Sequence, residues 1–201
     1  MGIPVYKPYL NAEEKEKIES VVDSGWLSSK GNQTKKLESR LCRFLEVEEG
    51  FLTDSGTDAI QIALEAIGVE GQKVIVPGLT FGATAQAVRQ AGAKPIPVDI
   101  EQETLSIDPE TLKQKIDEDV EAVIVVHLMG KIGDINRIQK IAEKHGAKVV
   151  EDAAQAFGSE KKGRKAGTLG DLSAFSFSWN KTITTGKGGF VATDNDRFTE
   201  K

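Results

Sequence analysis

The chain has 201 residues, and a chain of this length can bury a core of its own as a single domain. Its 26 basic and 31 acidic residues give a net charge of −5, without a basic block of the kind that binds nucleic acid or an anionic membrane. One cysteine excludes an internal disulfide framework, and two separated histidines with one cysteine make no metal-ligand set. The first residues lack a signal-peptide pattern and no apolar run could span a bilayer, so we expect a cytoplasmic protein.

Helix and strand patterns alternate along the chain. Asn11-Ala-Glu-Glu14 is a capping box that predicts a helix to about Asp23, and a second helix is predicted from about Thr34 to Leu45. Strands are then predicted near residues 50–53, 73–76, 95–98, 122–126, 147–151, 171–177 and 189–193. The intervening helices are predicted near residues 57–67, 83–91, 109–117 and 134–145. This alternation predicts an α/β fold, in which a mainly parallel sheet carries helices on both faces.

The helix after the first predicted strand opens with Ser55-Gly-Thr57. Free backbone N–H groups and the positive end of the helix dipole make such a start a possible phosphate cradle, and Gly56 lets an anion approach closely. The signal is weak when it stands alone, because many helix starts look similar. The next strand ends in a turn that presents Phe81, which either lies flat against a ligand ring or fills the core.

Two polar residues follow later strands. Asp152 stands at the end of the strand that contains Val149 and Val150, where ligands of open α/β sheets gather. The alternative for Asp152 is the N-cap of a following helix. His127 follows another buried run, and a histidine in that place is more often hydrogen-bonded in position than reactive.

Lys181 lies between a short apolar run and a glycine-rich turn, in Ser176-Phe-Ser-Trp-Asn-Lys-Thr-Ile-Thr-Thr-Gly-Lys-Gly-Gly189. A lysine in a turn between two strands is a candidate amine for carbonyl chemistry, and lysine tethers pyridoxal phosphate (PLP) as a Schiff base. The alternative is an exposed lysine in a hairpin. A carboxylate at Asp152 could then hold the pyridine nitrogen of that cofactor protonated.

Several stretches together resemble the sugar aminotransferases of the DegT/DnrJ/EryC1/StrS family, within the aspartate aminotransferase superfamily. They occur in the order and spacing of the family over nearly the whole chain. They are Ser24-Gly-Trp-Leu-Ser-Ser29, Asp54-Ser-Gly-Thr-Asp-Ala-Ile60, Val76-Pro-Gly-Leu-Thr-Phe-Gly-Ala-Thr84, Gly92-Ala-Lys-Pro-Ile-Pro-Val-Asp99, Val126-His-Leu-Met-Gly130, Glu151-Asp-Ala-Ala-Gln-Ala-Phe-Gly158 and the Lys181 segment.

The resemblance implies the large domain of the type I PLP fold and a role for each matching residue. Lys181 would be the Schiff-base lysine and the catalytic acid and base, and Asp152 the partner of the pyridine nitrogen. The remaining cofactor contacts would be Gln155 to the phenolic oxygen, Phe81 stacked on the ring, and Gly56, Thr57 and Ser176 at the phosphate. Because the family's dehydratases carry histidine in place of the lysine, the resemblance points to transamination.

The chain also departs from the family. Family members commonly have His-Pro-Thr before the lysine where this chain has Ser178-Trp-Asn180, and an acid where it has Lys187. Lys187 would disfavour protonation of Lys181, change the charge preference for substrate, or be a harmless surface change. Trp26 either walls a substrate entrance or packs on the domain surface or at a dimer contact. Family members continue into a second, small domain that has no counterpart here, so we interpret residues 1–201 as the PLP-binding large domain, with a helical segment to about residue 46.

The expected function is PLP-dependent transfer of an amino group, with glutamate as the expected donor, to the keto sugar of a nucleotide-sugar. The resemblance also implies a homodimer, with a second chain supplying the small domain as another possibility. One alternative is amino transfer to a cyclitol ketone, which shares every motif quoted. The other is a truncated or split cofactor-binding subunit that is inactive alone.

Overall fold

A computed structural model describes residues 2–198 of the chain. The helices are α1 (Ala12–Asp23), α2 (Asn32–Leu45), α3 (Gly56–Ile67), α4 (Ala83–Gln90), α5 (Pro109–Lys115) and α6 (Ile135–Lys144). The strands are β1 (Glu49–Thr53), β2 (Lys73–Pro77), β3 (Lys94–Val98), β4 (Val120–Val126), β5 (Lys148–Asp152), β6 (Glu160–Lys161), β7 (Arg164–Lys165), β8 (Leu172–Ser176) and β9 (Gly189–Thr193). Short 3-10 turns occupy Leu128–Gly130 and Asp196–Phe198.

One sheet organises the chain. It has seven strands in the order β1-β9-β8-β5-β4-β2-β3. The pairs from β8 to β3 are parallel, and β9 runs antiparallel to both β1 and β8. The predicted α/β fold with a mainly parallel sheet is therefore confirmed. The hairpin of β6 and β7 was not predicted, because two-residue strands leave no periodic signal.

The sheet is covered on both faces. In β4, Val123 and Val125 belong to a core cluster that includes residues of α2, α5 and α6, while Ala122, Ile124 and Val126 join a second cluster with α3 and α4. Alternating residues of a strand point to opposite faces, so both faces of β4 are buried, as is typical of parallel sheets between helices. Because the parallel strands share one direction, the loops after β2, β4, β5 and β8 meet at one edge of the sheet.

The N-terminal helix α1 is the one α-helix within residues 2–198 that buries no residue. Its predicted capping box is present, with the Asn11 N–H donating to Glu14 and the Asn11 side chain accepting from the Glu13 N–H. None of its residues is buried, and Ile18 and Val22 are exposed. By contrast, α2 buries Leu41 and Leu45. Within residues 2–198, no helix is both long enough and apolar enough to cross a membrane.

Candidate active site

A cavity of about 690 Å³ opens at the carboxyl edge of the sheet. Its walls come from the loops that follow β1, β2, β4, β5 and β8, together with the N-terminal segment. The structure brings every predicted site residue to this cavity, namely Gly56, Thr57, Phe81, Asp152, Gln155, Ser176 and Lys181. Parallel strands deliver these residues to one place although they are spread over more than half of the sequence.

Asp152 is the last residue of β5 and is buried, with 6% of its surface exposed. Its Oδ2 accepts a hydrogen bond of 2.9 Å from the Thr84 hydroxyl, and its Oδ1 accepts one of 3.1 Å from the Ala154 N–H. The Thr84 hydroxyl is in turn 2.8 Å from that of Thr80. Residues 153–159 form turns, so the interpretation of Asp152 as a helix N-cap is wrong. Both carboxylate oxygens are held in place.

Burial raises the pKa of Asp152, although the hydrogen bonds from Ala154 and Thr84 and the charges of Lys181 and His127 act in the opposite direction. The cause is desolvation, because a buried carboxylate loses the water that stabilises its charge. A cationic ring nitrogen placed against this carboxylate would replace the lost water. The carboxylate is therefore suited to a positively charged partner.

Lys181 lies in the loop of residues 177–188 between β8 and β9. The ends of the loop are joined by a 2.9 Å hydrogen bond from the Phe177 N–H to the Gly188 carbonyl, and the Lys181 N–H donates to the Ser178 carbonyl. The side chain is half-buried in the cavity wall, so Lys181 is not the freely exposed hairpin lysine of the alternative interpretation. Burial lowers the pKa of Lys181, against the opposing charge of Asp152. A lowered pKa increases the fraction of neutral, nucleophilic amine.

The start of α3 is packed tightly against β8. Ser55 is the N-cap, and its hydroxyl accepts from the Asp58 N–H and donates to the Asp58 carboxylate. A Cβ at position 56 would lie 2.7 Å from the Cβ of Ser176, so only glycine allows this approach. The backbone N–H groups of Gly56 and Thr57 lie in the first turn of α3, where such groups have no carbonyl acceptor within the helix. Free N–H groups of this kind are suited to an anion, and the Ser176 hydroxyl lies beside them.

Phe81 and Gln155 form further parts of the wall. Phe81 is 74% exposed, which contradicts the alternative that it fills the core. The Gln155 Oε1 accepts a hydrogen bond of 3.1 Å from the Met129 N–H. Because its oxygen is engaged, the Gln155 amide has its two N–H groups left to donate. This arrangement suits an acceptor such as a phenolic oxygen.

Two sets of contacts around the site were not predicted from the sequence. One is the threonine pair that orients Asp152, since nothing in the sequence connects Thr84 to a residue 68 positions away. The other is the buried pair of His127 and Glu151, whose Nε2 and Oε2 are 2.6 Å apart. The Glu151 carboxylate also accepts from backbone N–H groups of the loop after β7, at Gly167, Leu169 and Gly170.

The buried pair confirms that His127 is hydrogen-bonded in place. The backbone N–H of His127 also donates a hydrogen bond of 3.0 Å to the backbone carbonyl of Asp152. The pair therefore secures the ends of β4 and β5 beneath the cavity. Two other residues singled out from the sequence do not line this cavity: Trp26 lies against Gly31 in the loop between α1 and α2, and Lys187 is exposed.

The fold and the cavity define a protein of the aminotransferase fold, and a solved structure shows the same architecture. The PLP-form of Spr1654 from Streptococcus pneumoniae, a candidate sugar aminotransferase, matches with a TM-score of 0.93 and 30% identity over 98% of this chain and 54% of that one. The sequence profile of the DegT/DnrJ/EryC1/StrS aminotransferase family matches residues 8–201. This chain belongs to that family.

Two curated relatives are similar to this chain over almost all of its length. GDP-perosamine synthase of Escherichia coli O157:H7 is 44% identical over 96% of this chain and 53% of its own length. GDP-perosamine synthase of Vibrio cholerae is 39% identical over 99% of this chain and 54% of its own length. The chain therefore spans about half the length of the curated relatives it matches.

Proposed function

We propose that this chain carries the cofactor-binding and catalytic part of a PLP-dependent aminotransferase that moves an amino group from glutamate to the keto sugar of a nucleotide-sugar. The observation that supports this most is the placement of Lys181 and Asp152 in one cavity with the anion cradle at Gly56. Family membership and the relationship to GDP-perosamine synthases support the substrate class. The single cysteine is in keeping with a cytoplasmic enzyme.

The residues of the cavity fit PLP. Asp152 is a buried carboxylate with a raised pKa, which suits a ring nitrogen that carries a proton. Phe81 presents its ring to the cavity, and Gln155 retains its amide donors. A phosphate would be held by the first turn of α3 and the Ser176 hydroxyl, where glycine is the one residue that fits. Lys181 would hold the aldehyde carbon covalently.

The cofactor, when bound, supplies an aldehyde that takes up amines and a cationic ring that draws electrons from a carbon that is losing its proton. In the chain's part of the reaction, the Nζ of Lys181 would be released when the donor amine replaces it. The freed Nζ would then accept the proton from the α-carbon of the donor and, as an acid, return it to the carbon that had been the aldehyde carbon of the cofactor. A lowered pKa suits this work, because an amine that is not fully protonated can act as a base.

Asp152 and its partners would keep the ring nitrogen protonated during these steps. Thr84 and the Ala154 N–H hold the two carboxylate oxygens, so no reorganisation is needed when charge develops on the ring. The same groups act in reverse order when the keto sugar receives the amino group. Glutamate and the sugar thus use one cavity in turn.

Half-reactions test the proposal. The full-length gene product, loaded with PLP, should lose the absorbance of the aldehyde form when L-glutamate is added, because the amino group moves to the cofactor. GDP-perosamine, an aminated nucleotide-sugar, should cause the same change from the sugar side. Conversion by glutamate and by an amino-cyclitol, with none by GDP-perosamine, would support the cyclitol alternative instead. No conversion by any amine would contradict an aminotransferase.

The proposal extends to the part of the relatives that this chain does not span. We infer that residues 1–201 form the large domain, that a small domain completes the site, and that two copies pair. Ile18 and Val22 of α1 are apolar and exposed, which supports the presence of a further protein surface that covers them. The intact mass of the natively expressed protein, with any chain that copurifies, distinguishes a single long chain from a split enzyme.

Under this proposal the 201-residue chain alone binds PLP weakly and turns over slowly. A missing charge-assisted hydrogen bond to the phosphate costs roughly 1.5–3 kcal/mol, or about tenfold to a hundredfold in affinity. Titration of the isolated chain and of the full-length gene product with PLP measures the difference. Tight binding and fast conversion by glutamate in the isolated chain would overturn the need for a further segment.

A further inference from the structure

Two aromatic side chains of the cavity wall have no part in holding the cofactor. Tyr6, from the segment before α1, meets Trp179 edge to face, with ring centroids 5.7 Å apart and an interplanar angle of 81°. Both residues line the cavity, yet 53% of Tyr6 and 57% of Trp179 remain exposed. The pair therefore stands at the rim, where one side of each ring packs and the other faces solvent.

The position of Trp179 is set by the turn that also sets Lys181. The Lys181 N–H donates to the Ser178 carbonyl, so Trp179 lies inside the turn that carries the reactive amine. A large indole ring beside the amine shapes the wall of the cavity without being one of the groups that react.

The cavity has a polar floor and an apolar rim. Asp152, Thr84 and Ser176 contribute polar groups near the strand ends, while Met129, with 75% of its surface exposed, adds to the apolar rim of Tyr6 and Trp179. The cavity volume of about 690 Å³ lies in the upper half of the ~300–1,000 Å³ range of ligand pockets. A cavity of this size leaves room for a second molecule beside the cofactor.

We propose that the Tyr6–Trp179 pair binds the apolar face of the sugar ring of the acceptor and so selects the sugar substrate. This inference rests on the proposed function. One face of a pyranose ring presents mainly C–H groups, and burying them against a flat indole removes apolar surface from water. Glutamate is acyclic and carries two carboxylates, so an aromatic wall adds little to its binding. The pair should therefore act on the sugar half-reaction alone.

Kinetics of the two half-reactions test this in the PLP-loaded full-length gene product. Trp179→Ala should lower kcat/KM for conversion by GDP-perosamine by about tenfold or more, since an aromatic contact surface is lost. The value for L-glutamate should stay within about twofold of the wild type, because the reacting groups are intact. Tyr6→Ala should give a smaller loss with GDP-perosamine, about two- to tenfold, and Tyr6→Phe should give none because it keeps the ring.

Fluorescence gives a measurement without turnover if the protein is first converted by L-glutamate and freed of it, because GDP-perosamine then finds no aldehyde to convert. The emission of Trp179 is obtained as the difference between the wild type and its Trp179→Phe variant, which removes the contributions of Trp26 and of any tryptophan in a further segment. GDP-perosamine should change the emission of Trp179, and GDP alone should leave it unchanged. An equal change with GDP would show contact with the base or the phosphates and would overturn the sugar assignment.

The outcomes separate this inference from the function on which it rests. A wild-type protein that is not converted by glutamate would contradict the aminotransferase proposal itself. Conversion by glutamate, combined with an equal loss of both half-reactions in Trp179→Ala, would show that the indole only supports the Lys181 turn and would overturn the inference. A glutamate-active protein whose Trp179 emission does not respond to GDP-perosamine would overturn it as well.

Discussion

The end of β5 and the loop after β8 both line the cavity, and they hold their functional groups in different ways. Asp152 is buried and both of its oxygens accept hydrogen bonds. Lys181 is half-buried, and within residues 2–198 its Nζ has no hydrogen-bond partner. The carboxylate is immobilised and the amine is left free. A group that must hold a ring benefits from preorganisation, whereas a group that must form and break bonds has to move.

The surrounding structure explains this difference. A strand end inside a parallel sheet is fixed by its neighbours on both sides, and β5 pairs with both β4 and β8. The loop of residues 177–188 is closed at its base and carries exposed side chains such as Trp179 and Lys187. The fixed position of Asp152 and the exposure of the loop that carries Lys181 therefore follow from the sheet topology. Substitutions at these two places should affect different steps.

The largest effect is expected at the free amine. Lys181→Ala removes both the covalent attachment and the acid–base group, so turnover should fall by on the order of 10⁴-fold and the absorbance of the attached aldehyde should disappear. Lys187→Ala is the matched control, because Lys187 is an exposed lysine of the same loop. Loss of the absorbance in Lys187→Ala, with retention in Lys181→Ala, would reverse the assignment.

The next effect is expected at the fixed carboxylate. Asp152→Asn should still bind PLP, because the phosphate cradle and Lys181 are intact, but it should slow proton abstraction by about 10²-fold or more since an amide cannot keep the ring nitrogen protonated. Single-turnover measurements with L-glutamate isolate that step. An unchanged rate would mean that Asp152 only shapes the end of β5.

A smaller effect is expected at Gly56, where we propose that the cofactor phosphate binds. Gly56→Ala places a Cβ 2.7 Å from that of Ser176, so α3 or β8 must shift. Such overpacking costs about 1–3 kcal/mol, and we expect PLP affinity to fall by about fivefold to a hundredfold. Gly82→Ala is the control, because Gly82 also stands at a helix start but a Cβ there meets no atom within 4 Å. Equal affinities in the two variants would place the phosphate elsewhere.

The smallest effect concerns the stability of the cofactor-free protein. Because burial raises the pKa of Asp152, the folded state binds the proton more tightly than the unfolded chain does. The ionised carboxylate therefore lowers the free energy of unfolding. This loss grows as the pH rises above the unfolded-state pKa of about 3.9, and it is constant above the folded-state pKa. Asp152→Asn should therefore unfold at a higher temperature than the wild type at pH 7, by about 2–4 °C if the cost is near 1 kcal/mol.

That gain should disappear near pH 3, where Asp152 is protonated in both folded and unfolded protein. The Thr84 and Thr80 hydroxyls can reverse their direction, so the amide of the variant keeps a partner. Melting curves of the cofactor-free proteins across this pH range measure the difference. A wild type that is the more stable of the two at pH 7 would show that the hydrogen bonds outweigh the desolvation of the carboxylate.

Local patterns were sufficient to predict much of this protein. The alternation of apolar strands with amphipathic helices predicted the mainly parallel sheet, because each element must bury one face or both. The Asn11 capping box and the start of α3 after Ser55 were readable because caps act within a few residues. Motif order placed Lys181 and Asp152 as site candidates, and the structure brings them to one cavity.

The tertiary structure alone decided what each candidate contacts. Phe81 could have been core or cavity wall, and its exposure follows from the path of the loop after β2. The hydrogen bond from Thr84 to Asp152, the pairing of His127 with Glu151, and the meeting of Tyr6 with Trp179 join residues far apart in sequence. Such contacts depend on how the sheet stacks its strands and on where the loops return. Local sequence determines the elements through short-range forces, but partners across a cavity exist only once the whole chain has packed.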